Sequence, residues 1–437
     1  MGNKKKLIAV LLGIVVACIV LIASIHHRNN EVVLELGMFT DSNWDVASAN
    51  GFVIIDKAIE KFEREHPGVR VHYYSGVQKS DYSEWLSRKI LSGEAPDVFM
   101  VIGTDYNQFC SMGVIKKLDG LIAKDASFDK DVFFTSSYET GKYNGSQYAL
   151  PYETVPTLMF VNKSLLNHEG ISVPGENWTW GELVEICNKV TKDKNGDGII
   201  DQFGIYNYDW KDAAFSNGGV IFSEDGKECY FTSDNIVQSI RLIDQLEKMN
   251  QGQKITQEDF NGGNVAFMPL TFAEYRTYKT YPYKIKRYAN MTWDCITMPA
   301  GPQGNNLSEV NTLLMGISSN TRHEKLAWEF LKLLTSDEEI QSEIFVSSQG
   351  ASVLKSVTQS KEAEERMQAD MAKDDKVIDN KLLGKIIEEG HVEPKFKRYE
   401  QAISLADGEI NRMLEEDRKI DSSMKILQRS ITSYLNQ

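Results

Sequence analysis

The chain has 437 residues and a formal net charge of -14, with 42% hydrophobic and 25% charged residues. That is long enough for two globular lobes of ~100–200 residues each, with ordinary soluble composition and material for a sizeable core. The acidic balance excludes a nucleic-acid binder, which needs a basic face, and a surface that clings to anionic lipid.

The N-terminus departs from this pattern. Lys4, Lys5 and Lys6 precede an uncharged run from Leu7 to Ile25, which His26, His27 and Arg28 close. At ~1.5 Å per residue the run is ~28 Å long, close to the hydrocarbon thickness of a bilayer. The lysines stay in the cytoplasm, so the chain after residue 30 faces outside. Residues 1–30 therefore read as signal or membrane anchor plus tether. An uncleaved helix is one reading. A lipoprotein signal is another, with Val15-Val16-Ala17-Cys18 as the cleavage box and lipid on Cys18. Against the second, Ile19 to Ile22 continue the apolar run where such signals turn polar. Full secretion is the third.

Val32 to Met38 is apolar and β-branched, and predicts a first strand. Phe52, Ile55, Ile59 and Phe62 recur at helical spacing over 51–65, and His66-Pro67-Gly68 stops that helix. A strand over 69–74, a helix over 81–92 and a strand over 97–102 follow. This alternation predicts parallel sheets with crossover helices. Residues 148–161 are strand-like but carry Pro151 and Pro156 as interruptions. Helices are expected over 180–191, with Thr179 as N-cap, and over 234–249 and 324–334. From about 360 the chain is helical and charged, ending in the Met424, Leu427, Ile431, Leu435 spacing.

Catalytic signatures are missing. There is no nucleophile elbow, no phosphate-binding loop, no paired-histidine metalloprotease motif and no dinucleotide fingerprint. Cys110, Cys187, Cys229 and Cys295 are far apart, which disfavours zinc and leaves disulfides or separate buried thiols open. One ion motif stands out. Asp193, Asn195, Asp197, the Ile199 carbonyl and Asp201 occupy positions 1, 3, 5, 7 and 9 of a calcium loop, with Gly198 at position 6. Position 12 is Gly204 where a bidentate glutamate belongs, so an Asx-rich turn is the competing reading. No other cofactor is expected.

Several stretches in order carry a family resemblance. They include Phe62-Glu63-Arg64-Glu65-His66-Pro67-Gly68-Val69, Ser92-Gly93-Glu94-Ala95-Pro96-Asp97-Val98 and Tyr148-Ala149-Leu150-Pro151 followed by Val161-Asn162-Lys163. Trp178-Thr179-Trp180, Ala266-Phe267-Met268, Pro299-Ala300-Gly301-Pro302 and Ala327-Trp328-Glu329-Phe330-Leu331 continue the series. Together they resemble the extracellular solute-binding proteins of ABC importers, in particular the sugar-binding, maltose-binding-protein-like group. The resemblance implies a two-lobed α/β fold of the type II periplasmic-binding-protein kind, with parallel-rich sheets and hinge strands. Lobe 1 would span 31–150, with about 300–340 returning to it. Lobe 2 would span 151–299, with about 345–437 as a helical C-terminal part. It further implies a monomeric, extracytoplasmic receptor, not an enzyme, that hands a sugar to separate permease subunits at the membrane.

A sugar offers flat apolar faces ringed by hydroxyls, so its cleft needs aromatic platforms with carboxylate, amide or hydroxyl partners. Loops after strands supply the candidates. Trp44 and Asp45 follow the first strand, and Asp105 and Tyr106 the third. Tyr152 and Glu153 lie at the first lobe crossing. Tyr208 and Trp210 lie in a central aromatic loop, Thr271, Glu274 and Tyr275 follow a later strand, and Asn311 sits near the last hinge. Trp44 and Trp210 are expected to face each other across the cleft. The loops carry acids and few arginines, which favours a neutral or weakly charged sugar. A same-fold receptor for another solute, and a ligand-sensing partner of a membrane signalling protein, are the alternatives.

Overall fold

The computed structural model describes residues 31–46, 50–280, 291–369 and 377–437. The proposed membrane segment and Cys18 lie outside them. Among the described residues no helix is long and apolar enough to cross a membrane.

The strands in chain order are β1 (Val32–Gly37), β2 (Val69–Tyr73), β3 (Val98–Val101), β4 (Lys142–Tyr143), β5 (Ser146–Gln147) and β6 (Ala149–Asn162). They continue with β7 (Phe203–Ile205), β8 (Val265–Thr271), β9 (Trp293–Ile296), β10 (Val310–Ile317) and β11 (Ala351–Ser352). The main sheet runs β2-β1-β3-β10-β6-β8-β7. Pairs β1/β2, β1/β3 and β7/β8 are parallel, as crossover helices require. The strands around the lobe junction are antiparallel, so the sheet is mixed.

β6 joins the halves. Its first part, Ala149 to Pro156, pairs with β10, and its second part, Thr157 to Val161, pairs with β8. Pro156 has no N–H for a ladder, and it stands at the residue where the strand changes partner. The two prolines therefore do not break the strand. They mark where a continuous ladder is not needed. Ahead of β6, β4 and β5 form a hairpin across Asn144-Gly145, both at positive φ (47° and 74°), as a tight two-residue turn demands.

Helix Phe52–Glu65 buries Ile54, Ile55, Ala58 and Phe62 against the first-lobe strands. Helix Trp180–Val190 starts on Thr179, whose hydroxyl and the Glu182 carboxylate form a reciprocal cap, as expected. The last helices, Tyr399–Glu415 and Ile420–Leu435, pack on the second lobe through Ala402, Ala406, Ile410 and the Met424-Leu427-Ile431-Leu435 stripe. The four described cysteines are separate buried thiols.

One boundary differs from the sequence division. Residues 338–369 and 377–388 pack on the first lobe and do not continue the second. Lys57 and Lys61 of the first-lobe helix pair with Glu343 and Asp337. β11 joins β6 at Glu153 and Thr154. Glu388 accepts the Thr135 N–H and hydroxyl at 2.8 and 2.7 Å. The chain then crosses a third time, between Gly390 and Phe396, to reach the second-lobe core. Helical periodicity shows which face of these helices is buried but not against which lobe.

Candidate functional site

The carboxyl end of β3 opens into a cavity of 260 Å³. Open α/β sheets bind ligands at this end of their strands. The first lobe supplies Gly103, Thr104 and Tyr106, and the second lobe faces them with Lys211 and Phe215. The start of β10 and the residue before it, Glu309 to Thr312, form the floor. The third crossing and the helix after it bring His391, Glu393, Lys395, Tyr399 and Glu400. This wall is built by backbone pairing: Glu309 bridges His391 in parallel, and the His391 N–H donates to the Ser308 carbonyl at 2.8 Å. The Phe215 ring stacks on the His391 imidazole at 4.0 Å.

The cavity is acidic. Burial raises the Glu309 carboxyl above its ordinary range, with Lys211 opposing and Glu393 and Asp209 adding to the rise. Burial also raises Glu400, against the pull of Lys395 and Asn107. Asp212 is held well above its ordinary range by burial and by the charges of Asp209 and Glu309. Burial works against the charge of Lys211, but Asp209, Asp407 and Glu309 outweigh it and its pKa is raised. Asp105, at the start of helix Gly103–Ser111, is raised by burial although the Ser83 hydroxyl donates to it.

A smaller recess of 50 Å³ lies beside the loop after β1. Thr40, Asp41, Ser42 and Asn43 line it with Tyr152 and Glu153 of β6. Glu153 is buried, and its Oε1 accepts the Ser348 hydroxyl and the Gly350 N–H, the latter at 2.7 Å. Burial raises its pKa against these donors, with Trp44 and Arg276 also opposing. The Arg276 guanidinium reaches over from the helix after β8 and donates to the carbonyls of Phe345, Ser348 and Gly350 at 2.8, 2.8 and 3.1 Å. One turn thus ties the hinge strand to the helix after β8.

Residues 48–341 match the sequence profile of the family described as bacterial extracellular solute-binding protein. The chain belongs to that family. The multiple sugar-binding protein of Streptococcus mutans is 23% identical over 66% of this chain and 69% of its own length. The sugar-binding protein MalE of Xanthomonas citri has the same fold, with a TM-score of 0.74 at 15% identity over 93% of this chain and 98% of that one. An ABC substrate-binding protein of Listeria monocytogenes, solved with cycloalternan, superposes with a TM-score of 0.68 at 19% identity, over 93% of this chain and 99% of that one. As a member of an extracellular family, this solute-binding protein works outside the cytoplasm.

The residues expected from sequence to line the cleft divide sharply. Tyr106, Asn311, Tyr152 and Glu153 line the cavity or the recess, and Asp105 stands at the cavity's edge beside Glu400. Tyr106 does so from the core, with its hydroxyl on the Gly141 carbonyl at 2.6 Å. Trp44 packs half-buried on the first core, its indole near the Glu153 carboxylate but with no closed hydrogen bond on Nε1 among the described residues. Asp45 instead points outward at 84% exposure, paired with Lys79. Trp210 is not a platform: it is 2% exposed in the second core, and its Nε1 donates to Asp407 at 2.8 Å. Tyr208 sits in the same core. Tyr275 is fully buried, its hydroxyl accepting the Ile378 N–H. Thr271 and Glu274 cap each other at the start of helix Phe272–Thr280.

Sequence reasoning missed Lys211, Glu309, Glu393, Tyr399 and Glu400. The one signal was Pro394, a break in an otherwise helical tail, which marks the third crossing. In the loop 193–201, Asp193 accepts the N–H groups of Asn195, Gly196 and Gly198, Asp197 that of Ile199, and Asp201 that of Lys194. These oxygens face the loop's own amides. Among the described residues no three His, Cys, Asp or Glu are arranged to hold a metal.

Proposed function

We propose that this solute-binding protein is a saccharide receptor of an ABC importer. It captures its ligand between the lobes and presents the closed form to separate permease subunits, acting as a monomer and not as an enzyme. The observation that carries this is the cavity at the β3 end. Both lobes and the second and third crossings line it, so any ligand there bridges the lobes and favours the closed state. Its walls combine aromatic surface from Phe215, Tyr106 and Tyr399 with carboxylates, amides and hydroxyls, which suits a sugar's faces and rim. The relatives point the same way: a multiple sugar-binding protein, the sugar-binding protein MalE and a substrate-binding protein solved with cycloalternan. The size, just below the ~300–1,000 Å³ of pockets for drug-sized ligands, favours one or two rings over a long oligosaccharide. The N-terminal run is proposed to hold the receptor at the membrane, as an uncleaved helix or through lipid on Cys18.

A thermal-shift screen against mono- and oligosaccharides tests the reading. A ligand at 100 times its Kd should stabilise the chain by ~2.7 kcal/mol. A screen in which amino acids or peptides raise the melting temperature and no saccharide does would overturn it.

A further inference from the structure

We infer that the solute carries an ammonium group, so that the ligand class is an amino-bearing saccharide. This deepens the saccharide reading and rests on it. The argument starts from the orphaned acceptor in the cavity wall. Glu393 is 8% exposed and lines the cavity. Its Oε1 meets His391 Nε2 at 2.5 Å, while its Oε2 has no hydrogen-bond partner among the described residues. The Tyr399 hydroxyl turns toward this carboxylate without closing a bond to Oε2. A buried carboxylate oxygen left bare is costly unless something that enters the site satisfies it.

Charge decides what kind of donor that is. Glu309, Glu393 and Glu400 line the cavity against Lys211 and Lys395, and Asp105, Asp209 and Asp212 stand within electrostatic reach. The two lysines offset three lining carboxylates only in part. Lys211 leans out to Asp407 at 3.5 Å, and Lys395 lies over the Tyr399 ring at 5.6 Å. An ammonium brings three donors, no acceptor and a positive charge, which matches a wall with surplus acceptors and surplus negative charge. A hydroxyl satisfies the oxygen but not the charge. A uronic acid or a phosphorylated sugar adds repulsion.

The experiment titrates the full-length chain in detergent with glucosamine, N-acetylglucosamine and glucose. Each is used as the monosaccharide and as the β-1,4-linked disaccharide, at a pH where free amines are protonated. The free-amine sugar should bind about tenfold or more tighter than its acetylated and neutral counterparts. E393Q and E400Q should each erase most of that margin, read as the ratio of free-amine to neutral-sugar affinity within the same variant. Unliganded melts show whether each variant folds, and either one suffices. Equal or tighter binding of the neutral sugars, or an amine preference that survives the folded variants, overturns the inference and leaves the saccharide reading standing. Failure of every saccharide, here and in the wider screen, removes both.

Discussion

Trp44 and Trp210 have the same standing in the sequence, each an aromatic in a loop after a predicted strand, and they end in different cores, Trp44 half-buried and Trp210 fully buried. Composition cannot separate them, because what decides is the partner each indole meets, and that partner is 197 residues away for Trp210. Trp210→Ala should remove ~3–5 kcal/mol of stability in a denaturant melt, while any folded fraction binds sugar normally. Weakened affinity with unchanged stability would return Trp210 to the cleft. Glu153 is a similar lesson in the other direction. Its place at the lobe crossing was legible, but the turn that holds it was not. A Cβ on Gly350 would collide with the Glu153 carboxylate. Gly350→Ala should therefore cost about 1–3 kcal/mol and loosen the recess, measured by melting and by titration together. A neutral outcome would mean that the turn at 348–350 shifts freely.

Among the elements, the legible ones were those whose own side chains specify them. The final helix buries the stripe its spacing announces, and Thr179 caps the helix it precedes. The third crossing at 390–396 was not legible, because its strand-like pairing with Glu309 comes from a distant segment. With it went His391, Val392, Glu393 and Lys395 of the cavity wall. The loop at 193–201 was legible as a tight turn, with Gly196 and Gly198 both at positive φ. Its carboxylates are spent on its own amides, so a chelator is expected to leave the melting temperature unchanged. Asp197→Ala should cost ~0.5–1.5 kcal/mol with or without chelator. A fall in melting temperature on chelation, absent from that variant, would instead show calcium holding the loop.

The whole molecule concentrates buried acid where its lobes meet. Asp105, Glu153, Asp212, Glu309 and Glu400 all have raised folded pKa values. Such groups keep protons in the folded state that the unfolded chain has released, so stability falls as pH rises from the unfolded values, ~3.9–4.3, through the folded ones. Glu169, lowered to about 2 by Lys192 and Gln202, has the opposite sign and loses its contribution only as pH falls below the unfolded value. The stability of the unliganded receptor should therefore begin to fall as pH rises past about 4, and a steady rise there would place these carboxyls in water. The two-lobe architecture was legible from ordered family segments, whereas the lobe to which 338–369 and 377–388 belong is decided by contacts with distant segments. Equilibrium titration with saccharides, comparing the wild type with Tyr399→Ala, tests the central claim most directly. The account predicts one saccharide bound per chain, with affinity reduced ~5- to 150-fold by loss of the wall aromatic, ~1–3 kcal/mol of contact. Saccharide binding of full strength in that folded variant, and in one altered at Glu309, would contradict capture in the cleft between the lobes.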